Sequence, residues 1–449
     1  MRTLIVGHGG RESALAMRMA EHSQLHAFIG HANPSLLRYA RASGGSHAIG
    51  DVCDPEAVVA FARAKEIDVA MVSADEPLAA GVVDALLAQG VRAVGPTRDG
   101  AEIEWNKAFA RALLREVAPE ALPALRVVQE ESELAEAIGS FGSTPVVVKP
   151  SGLSAGKGVK VMGPHLASHS EARQYALELL SRRKRGESVL IEEKVLGAEF
   201  TIQAISDGNT VVFPPSTYDY PFRFDGDRGP GTGGMGSLSM PETTLPFMSA
   251  RDYEHGCSII ERVIERLAAQ SRHFTGVMNS GFFATADGVR VIEFNARFGD
   301  PECMNVMSLF DGDWTAVMES ICDGRLSRHD VPLRREASLV LYLVSPDYAL
   351  PATAAGGAKP YEFPLDQNAI EADGCHVFFS SAVQIAENAY RTVGTSRAVA
   401  LATTAPTLQG ARERVIACAR EVPVLQWRGD VGEQAYLDGL SKLVGRQPA

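Results

Sequence analysis

Over residues 1 to about 98, short apolar runs alternate with helical patterns. "RTLIVG" is followed by "ESALAMRMAEH", then "HAFIG", "PEAVVAFARAK", "IDVAMVS", "PLAAGVVDALLAQ" and "VRAVGPT". Strands separated in this way by helices rejoin their sheet through crossovers, so the order predicts a parallel sheet with helices on its faces. Ligands of such sheets sit beyond the carboxyl ends of the strands. Those ends read "GHGGRES", "GHANPS", "SADEPL" and "GPT". "GHGG" lacks the GxGxxG spacing, and no ribose-binding acid stands at the expected distance, which disfavours a Rossmann dehydrogenase.

The rest of the chain changes character. "WNKAFARALLREV" predicts a linker helix within residues 99–121. Residues 122–198 read as strand, helix, strand ("TPVVVKP"), glycine loop, strand ("VKVM"), helix and strand ("SVLIEEKV"). Residues 199–330 read as antiparallel strands with helices, the turns supplied by "SDGN" and "ADG". Residues 331–449 restart with "ASLVLYLV" and end in the helical pattern "TLQGARERVIACAREV". The fold class is therefore a multidomain mixture, α/β at the N-terminus and α+β beyond it.

Composition bounds the function. A net charge of −12 argues against broad nucleic-acid binding, and no apolar run is long enough to span a bilayer. "MRTLIVGHGG" reads as a first strand rather than a signal peptide. The six cysteines form no CxxC pair, which fits free thiols in a reducing cytoplasm rather than disulfides or a zinc site. The expected partners are small molecules, with no nucleic acid and no membrane, and the chain is expected to be a monomer or small homo-oligomer.

Four segments carry chemistry. "KPSGLSAGKGV" (149–159) follows an apolar strand and brackets a glycine loop with Lys149 and Lys157, a pattern suited to cradling phosphates. It lacks the GxxxxGK[ST] spacing of a Walker loop. "VLIEEKVLGAEF" (189–200) could offer backbone groups to a purine edge and a carboxylate, Glu199, to ribose hydroxyls. "GPGTGGMGS" (229–237) is dense in backbone donors that suit an oxyanion. "VIEFNARFGDPE" (291–302) sets Glu293 and Asn295 two residues apart at the end of an apolar strand, with Arg297 two further on. All three share one face if the strand persists that far. A carboxylate and an amide oxygen suit a hard cation that takes its other ligands from phosphates.

In this order and spacing, the four segments resemble the ATP-grasp family, and within it the phosphoribosylamine–glycine ligases of purine biosynthesis. The matching motifs are "GHGGRESALA", "GPT", "NKAFAR", "GLSAGKGV", "IEE", "TGGMG" and "EFNARFGDPE", which span residues 1 to about 302. The resemblance implies a Rossmann-like N-terminal domain (1–98), a linker helix (99–121), a two-lobed ATP-grasp centre (122–198 and 199–330) and a small closing domain (331–449). It implies ATP and Mg²⁺ (or Mn²⁺) as cofactors. Lys107, Lys149, Gly156, Lys157 and Gly158 would hold the phosphates, Glu192, Glu193, Lys194 and Val195 the adenine, and Glu199 the ribose. Glu293 and Asn295 would ligate the metal. Arg297, Lys157, Gly233 and Gly234 would act at the reacting centre. Gly9, Gly10, Arg11, Glu12, Asn33, Glu76, Asp219, Arg223, Gly299 and Asp300, together with Arg297, would hold substrate.

The implied reaction joins a carboxylate such as glycine to an amine such as phosphoribosylamine through an acyl phosphate. The departures cluster on the substrate side: His8 and Ser13 in "GHGGRESA", "HAN" at 31–33, "SADEPL" at 73–78 and "DYPFR" at 219–223. They leave two alternatives open. One is a ligase using a different acid or amine. The other is an ATP-binding regulatory protein without turnover. The aromatics around Asp219 and Arg223 read either as an acceptor surface or as a packed hairpin.

Overall fold

The structure is a computed structural model that describes residues 1–152, 158–183, 187–350 and 359–445. Its N-terminal part is a five-stranded sheet in the order His47–Ile49, Gln24–Ile29, Arg2–Val6, Val69–Val72, Arg92–Val94, every pairing parallel. The two strands with the most apolar cores, Arg2–Val6 and Val69–Val72, sit side by side at its centre. The chain reverses its direction of winding between them, so the loops after Val6 and Val72 border the crevice where such sheets bind ligands.

The linker is two helices, Arg98–Trp105 and Lys107–Val117. Asn106 separates them and caps the second, its Oδ1 accepting from the Phe109 amide at 3.1 Å. This break puts Lys107 in the first turn of a new helix.

A four-stranded antiparallel sheet follows, in the order Leu125–Val128, Val189–Glu193, Val146–Pro150, Lys160–Val161. It carries its own apolar core, in which Val146, Val148, Val189 and Ile191 pack against Leu134, Ala172 and Ala176 of two helices. Of the remaining strands, two form a sheet (Phe222–Phe224, Arg228–Gly231), three form another (Glu362–Pro364, Ala389–Thr392, Ala382–Ala386), and nine build one large sheet. Gly288–Asn295 lies at one edge, next to Gly276–Thr285 and Ala198–Ser206. The sheet continues through Thr217–Asp219 and Gly236–Ser239 into Ala337–Leu343, Val399–Ala405 and His376–Phe379. Strands from beyond residue 331 thus extend the same sheet. The 20-residue helix Ala250–Ala269 lays Ile259, Ile260, Val263, Ile264 and Leu267 on one face, at helical spacing, to bury them. Among the described residues, no helix is long and apolar enough to cross a membrane.

Candidate active site

The cleft between the four-stranded and nine-stranded sheets gathers the cations. Lys107 reaches the start of the glycine loop: its Nζ donates to the Gly152 carbonyl at 3.2 Å and its amide to that of Ser151, also at 3.2 Å. Burial lowers its pKa; Glu293 opposes that shift and Lys149 reinforces it. Lys149 Nζ donates to Glu192 Oε2 at 2.7 Å. Glu192 also takes a forked pair from Arg111, Nε to Oε1 at 2.6 Å and Nη2 to Oε2 at 3.1 Å. Burial alone would raise the Glu192 carboxyl, but Arg111 and Lys149 outweigh it and hold the group down at about 2.

The Glu192 carboxylate is therefore committed to two protein cations, and any recognition by this connector falls to its backbone. Glu193 and Lys194 spend their amides on the carbonyls of Ala124 and Pro145, at 2.9 and 2.8 Å. The Val195 amide has no partner among the described residues. Gly158 adopts φ +95°, and its carbonyl accepts from Tyr175 at 2.8 Å. Gly156 and Lys157 lie outside the described residues.

Glu293 and Asn295 face the cleft because of a bulge. Gly281 pairs with Glu293 and the adjacent Phe282 with Val291, so Ile292 is an extra residue. Val289 and Val291 are buried before it, Phe294 after it, and Glu293 is exposed. The strand ends at Asn295, so Arg297 lies beyond it rather than on the same strand face. Its guanidinium nevertheless returns to Asn295 Oδ1, 3.3 Å from Nη2, and ion-pairs with Glu104 at 3.0 Å. Glu293 makes no hydrogen bond or ion pair among the described residues, which contain no cluster of three or more His, Cys, Asp and Glu side chains fit for a metal. The donor set is thus one free carboxylate and one amide oxygen. That fits a hard divalent cation completing its shell with phosphate and water oxygens. Glu199 lies two strands away, opposite Phe283. Desolvation and the charges of Glu293 and Asp227 push its carboxyl up to about 7, against Lys149. Its side chain is open to the cleft, so solvent softens that shift.

At the other end of the cleft, the "TGGMG" turn departs from expectation. Its amides are used internally: Gly234 donates to Thr232 Oγ1 at 3.1 Å, Met235 to the Tyr220 carbonyl at 2.8 Å, and Gly233 to Tyr348 Oη at 3.4 Å. Its carbonyls are held by Arg397, which donates to Gly233, to Gly234 at 3.1 Å and to the Asp300 carbonyl at 2.9 Å. The turn therefore does not present a ring of free donors to an oxyanion. Arg397 also pairs with the Asp300 carboxylate at 3.2 Å and lies 4.2 Å over the Tyr342 ring, whose hydroxyl donates to Asp300 Oδ1 at 2.6 Å. Burial would raise Asp300; Arg397 and Arg11 more than offset it and lower its pKa. Asp219 is different: desolvation and then the charge of Glu302 raise its pKa well above the carboxylate range, with Arg397 opposing. Its Oδ1 is buried without a partner among the described residues.

The N-terminal loop meets this end. Gly9 donates its amide to Glu12 Oε2 at 2.6 Å, Arg11 Nε pairs with Glu12 Oε1 at 2.7 Å, and Arg11 Nη1 donates to the Phe298 carbonyl at 3.1 Å. Gly10 packs so tightly that a Cβ would stand 2.4 Å from Tyr342 Oη. Gly299 is buried and donates to Gln203 Oε1 at 3.3 Å. Glu76 is exposed in the short helix Asp75–Ala79, which follows the strand Val69–Val72.

Two expected substrate residues are placed elsewhere. Asn33 is fully buried, caps the helix Pro34–Ala42 and donates to the carbonyls of His8 and Phe379 at 2.9 and 2.8 Å. It is a tie between loops. Arg223 is buried, with Nε on the Tyr348 carbonyl at 3.2 Å and Nη2 on Gln426 Oε1 at 2.7 Å. It does not face the cleft. Its aromatic neighbours Tyr218 and Tyr220 pack edge to face at 4.8 Å and are buried against Tyr436. For these residues the packed-hairpin reading holds.

Sequence reasoning missed Arg111, Glu104, Glu302, Tyr342 and Arg397. Arg111 had a signal: it stands one helical turn after Lys107, on the same face. Arg397 and Tyr342 lie in the segment whose motifs match least.

Two lobes closing on paired lysines and a carboxylate–amide strand end define the ATP-grasp class. The family model "Phosphoribosylglycinamide synthetase, ATP-grasp (A) domain" matches residues 105–303, and "Phosphoribosylglycinamide synthetase, N domain" matches residues 1–104. The chain is 39% identical to the phosphoribosylamine–glycine ligase of Thermococcus kodakarensis over 445 residues, 99% of both chains. It is 38% identical to that of Methanothermobacter thermautotrophicus over 414 residues, 92% of each. Among solved structures, the phosphoribosylamine–glycine ligase of Thermotoga maritima superposes with a TM-score of 0.76 at 22% identity, covering 96% of this chain and 100% of that one. The chain belongs to the phosphoribosylglycinamide synthetase family, ATP-grasp ligases that form a C–N bond and use ATP with a divalent metal.

Proposed function

We propose that this protein joins glycine to phosphoribosylamine, with ATP converted to ADP and phosphate, as a step of purine biosynthesis in the cytoplasm. The observation that carries the reading is the free Glu293 carboxylate facing Lys107 and Lys149 across one cleft, in a chain aligned end to end with ligases of that name. Lys107 and Lys149 would hold the phosphates, the Glu192–Val195 backbone the adenine and Glu199 the ribose hydroxyls. Glu293 and Asn295 would bind Mg²⁺ (or Mn²⁺), which supplies charge neutralisation on the phosphates. A glycine carboxylate oxygen attacks the γ-phosphorus, the bond to the β-bridging oxygen breaks, and ADP leaves. The phosphoribosylamine nitrogen then attacks the acyl carbon, phosphate departs, and the nitrogen loses its proton to solvent or phosphate.

Arg297, fixed by Glu104, would orient the carboxylate. Asp219, Asp300 and the Gly9–Glu12 loop would border the acceptor. Positioning and electrostatics suffice for such chemistry. The test is a mass-spectrometric product screen of glycine and other small acids against phosphoribosylamine and other amines, with ATP. The expected result is glycinamide ribonucleotide with equimolar ADP and phosphate. A preferred product from another acid or amine would replace this reading.

A further inference from the structure

We infer that Arg111 is a positioning residue that fixes the span between Lys149 and Glu293, and so couples the phosphate end of the nucleotide site to its metal end. This rests on the roles proposed above for those two residues. Arg111 stands on the helix Lys107–Val117, and its side chain is 5% exposed. It grips Glu192 of the four-stranded sheet with two nitrogens, at 2.6 and 3.1 Å. Its Nη2 also donates to the Ile292 carbonyl of the nine-stranded sheet at 2.7 Å.

Both ends of that bridge matter. Glu192 is the residue that holds Lys149, and Ile292 is the bulge residue directly before Glu293. A bulge leaves its extra residue outside the regular ladder, so its orientation depends on whatever else binds it. The contacts run without a gap from Lys149 through Glu192 and Arg111 to the peptide that aims Glu293. A planar guanidinium can grip a carboxylate and reach a carbonyl at one fixed spacing. A lysine can neutralise Glu192 but lacks the rigid fork that grips the carboxylate with two nitrogens while one of them reaches the carbonyl. The inference therefore concerns the shape of Arg111 more than its charge.

The experiment is calorimetric binding of a non-hydrolysable ATP analogue, with and without Mg²⁺, to the full chain and to Arg111→Lys, Glu293→Gln and the double variant. Melting curves report folding. The wild type should bind the analogue more tightly with Mg²⁺. Arg111→Lys should cut that increment by about tenfold, the scale of outer-shell effects on metal sites, and should weaken metal-free binding less. Adding Arg111→Lys to Glu293→Gln should cost little more of the increment, because both act on one carboxylate. An unchanged increment in folded Arg111→Lys, or fully additive losses, overturns the inference. Should Arg111→Lys not fold, Glu192→Gln severs the next link and must lower the increment likewise; an unchanged increment there overturns the inference too. Failure of the wild type to bind the analogue at all overturns the nucleotide-site reading instead, and the coupling with it.

Discussion

Lys149 and Glu192 are bound to each other diagonally across two neighbouring strands, Nζ to Oε2 at 2.7 Å, while Val147 stands directly opposite Glu192. Glu192 is buried and Lys149 half-buried, and the buried Arg111 shares the carboxylate. A carboxyl held at about 2 in the folded chain and near 4.3 in the unfolded one stabilises folding by roughly 3 kcal/mol at neutral pH. The folded pKa is depressed, so the contribution is fully present above the unfolded value and is lost as pH falls from about 4.5 towards 2. Urea midpoints measured from pH 7 to 3 should fall over that interval. In Glu192→Gln the interval should flatten from a lower plateau, because the buried Arg111 and the half-buried Lys149 lose their partner. An unchanged acid limb would contradict the ion-pair account.

Glu293→Gln should weaken Mg²⁺ binding and lower turnover on the order of 10² or more, with the melting temperature nearly kept. The exposed Glu293 carboxylate holds no other residue in place among those described, so little folding energy depends on it. Coupled ADP-release assays across a Mg²⁺ titration check this. Turnover at the wild-type level from the folded variant would remove Glu293 from the metal site.

Gly234→Ala should cost about 1–3 kcal/mol and reduce turnover more than it reduces ATP affinity. Gly234 sits at φ +99°, and an added Cβ would stand 2.4 Å from Asp219 Oδ1 and 2.7 Å from Pro301 Cδ. Relief would move Asp219 or the segment carrying Asp300, both at the end of the cleft where the acceptor is proposed to sit. Separate titrations of ATP and glycine distinguish this from a loss of nucleotide binding.

Tyr220→Phe should destabilise by about 1–3 kcal/mol without altering which acid or amine is used. The Tyr220 hydroxyl accepts from the Gly432 amide at 2.8 Å, and both are buried under the C-terminal segment. Denaturation measures the first effect and the product screen the second. A changed substrate profile would return the aromatic patch to the acceptor site.

The alternation of strand and helix in residues 1–98 was legible because crossover topology follows from element order. That Glu293 and Asn295 share a face was legible because side chains of a strand alternate; that the face is the cleft was not, because it depends on the bulge at Ile292. What escaped was whatever depends on backbone oxygens. Arg397 acts on the carbonyls of Gly233, Gly234 and Asp300, and carbonyls look alike at every position of a sequence. Asn33 shows the converse. An asparagine at a loop end suits a ligand or a helix cap equally well, and only its burial against Phe379, far along the chain, decides for the cap.

Ile292 carries no polar side-chain group, yet the count of residues depends on it. Between Val291 and Glu293 it works as a parity switch. Deleting it would bring Glu293 and Asn295 into step with Val289 and Val291, aim both towards the core, and turn Phe294 out into the nucleotide cleft. No functional group would have been removed, and every motif would still read in order. The loss should nonetheless exceed that of Glu293→Gln, because both oxygens proposed to bind the metal would leave the cleft together. A carboxylate and an amide would enter an apolar layer. Chains of this family that differ by one residue here are therefore further apart in chemistry than their identity suggests.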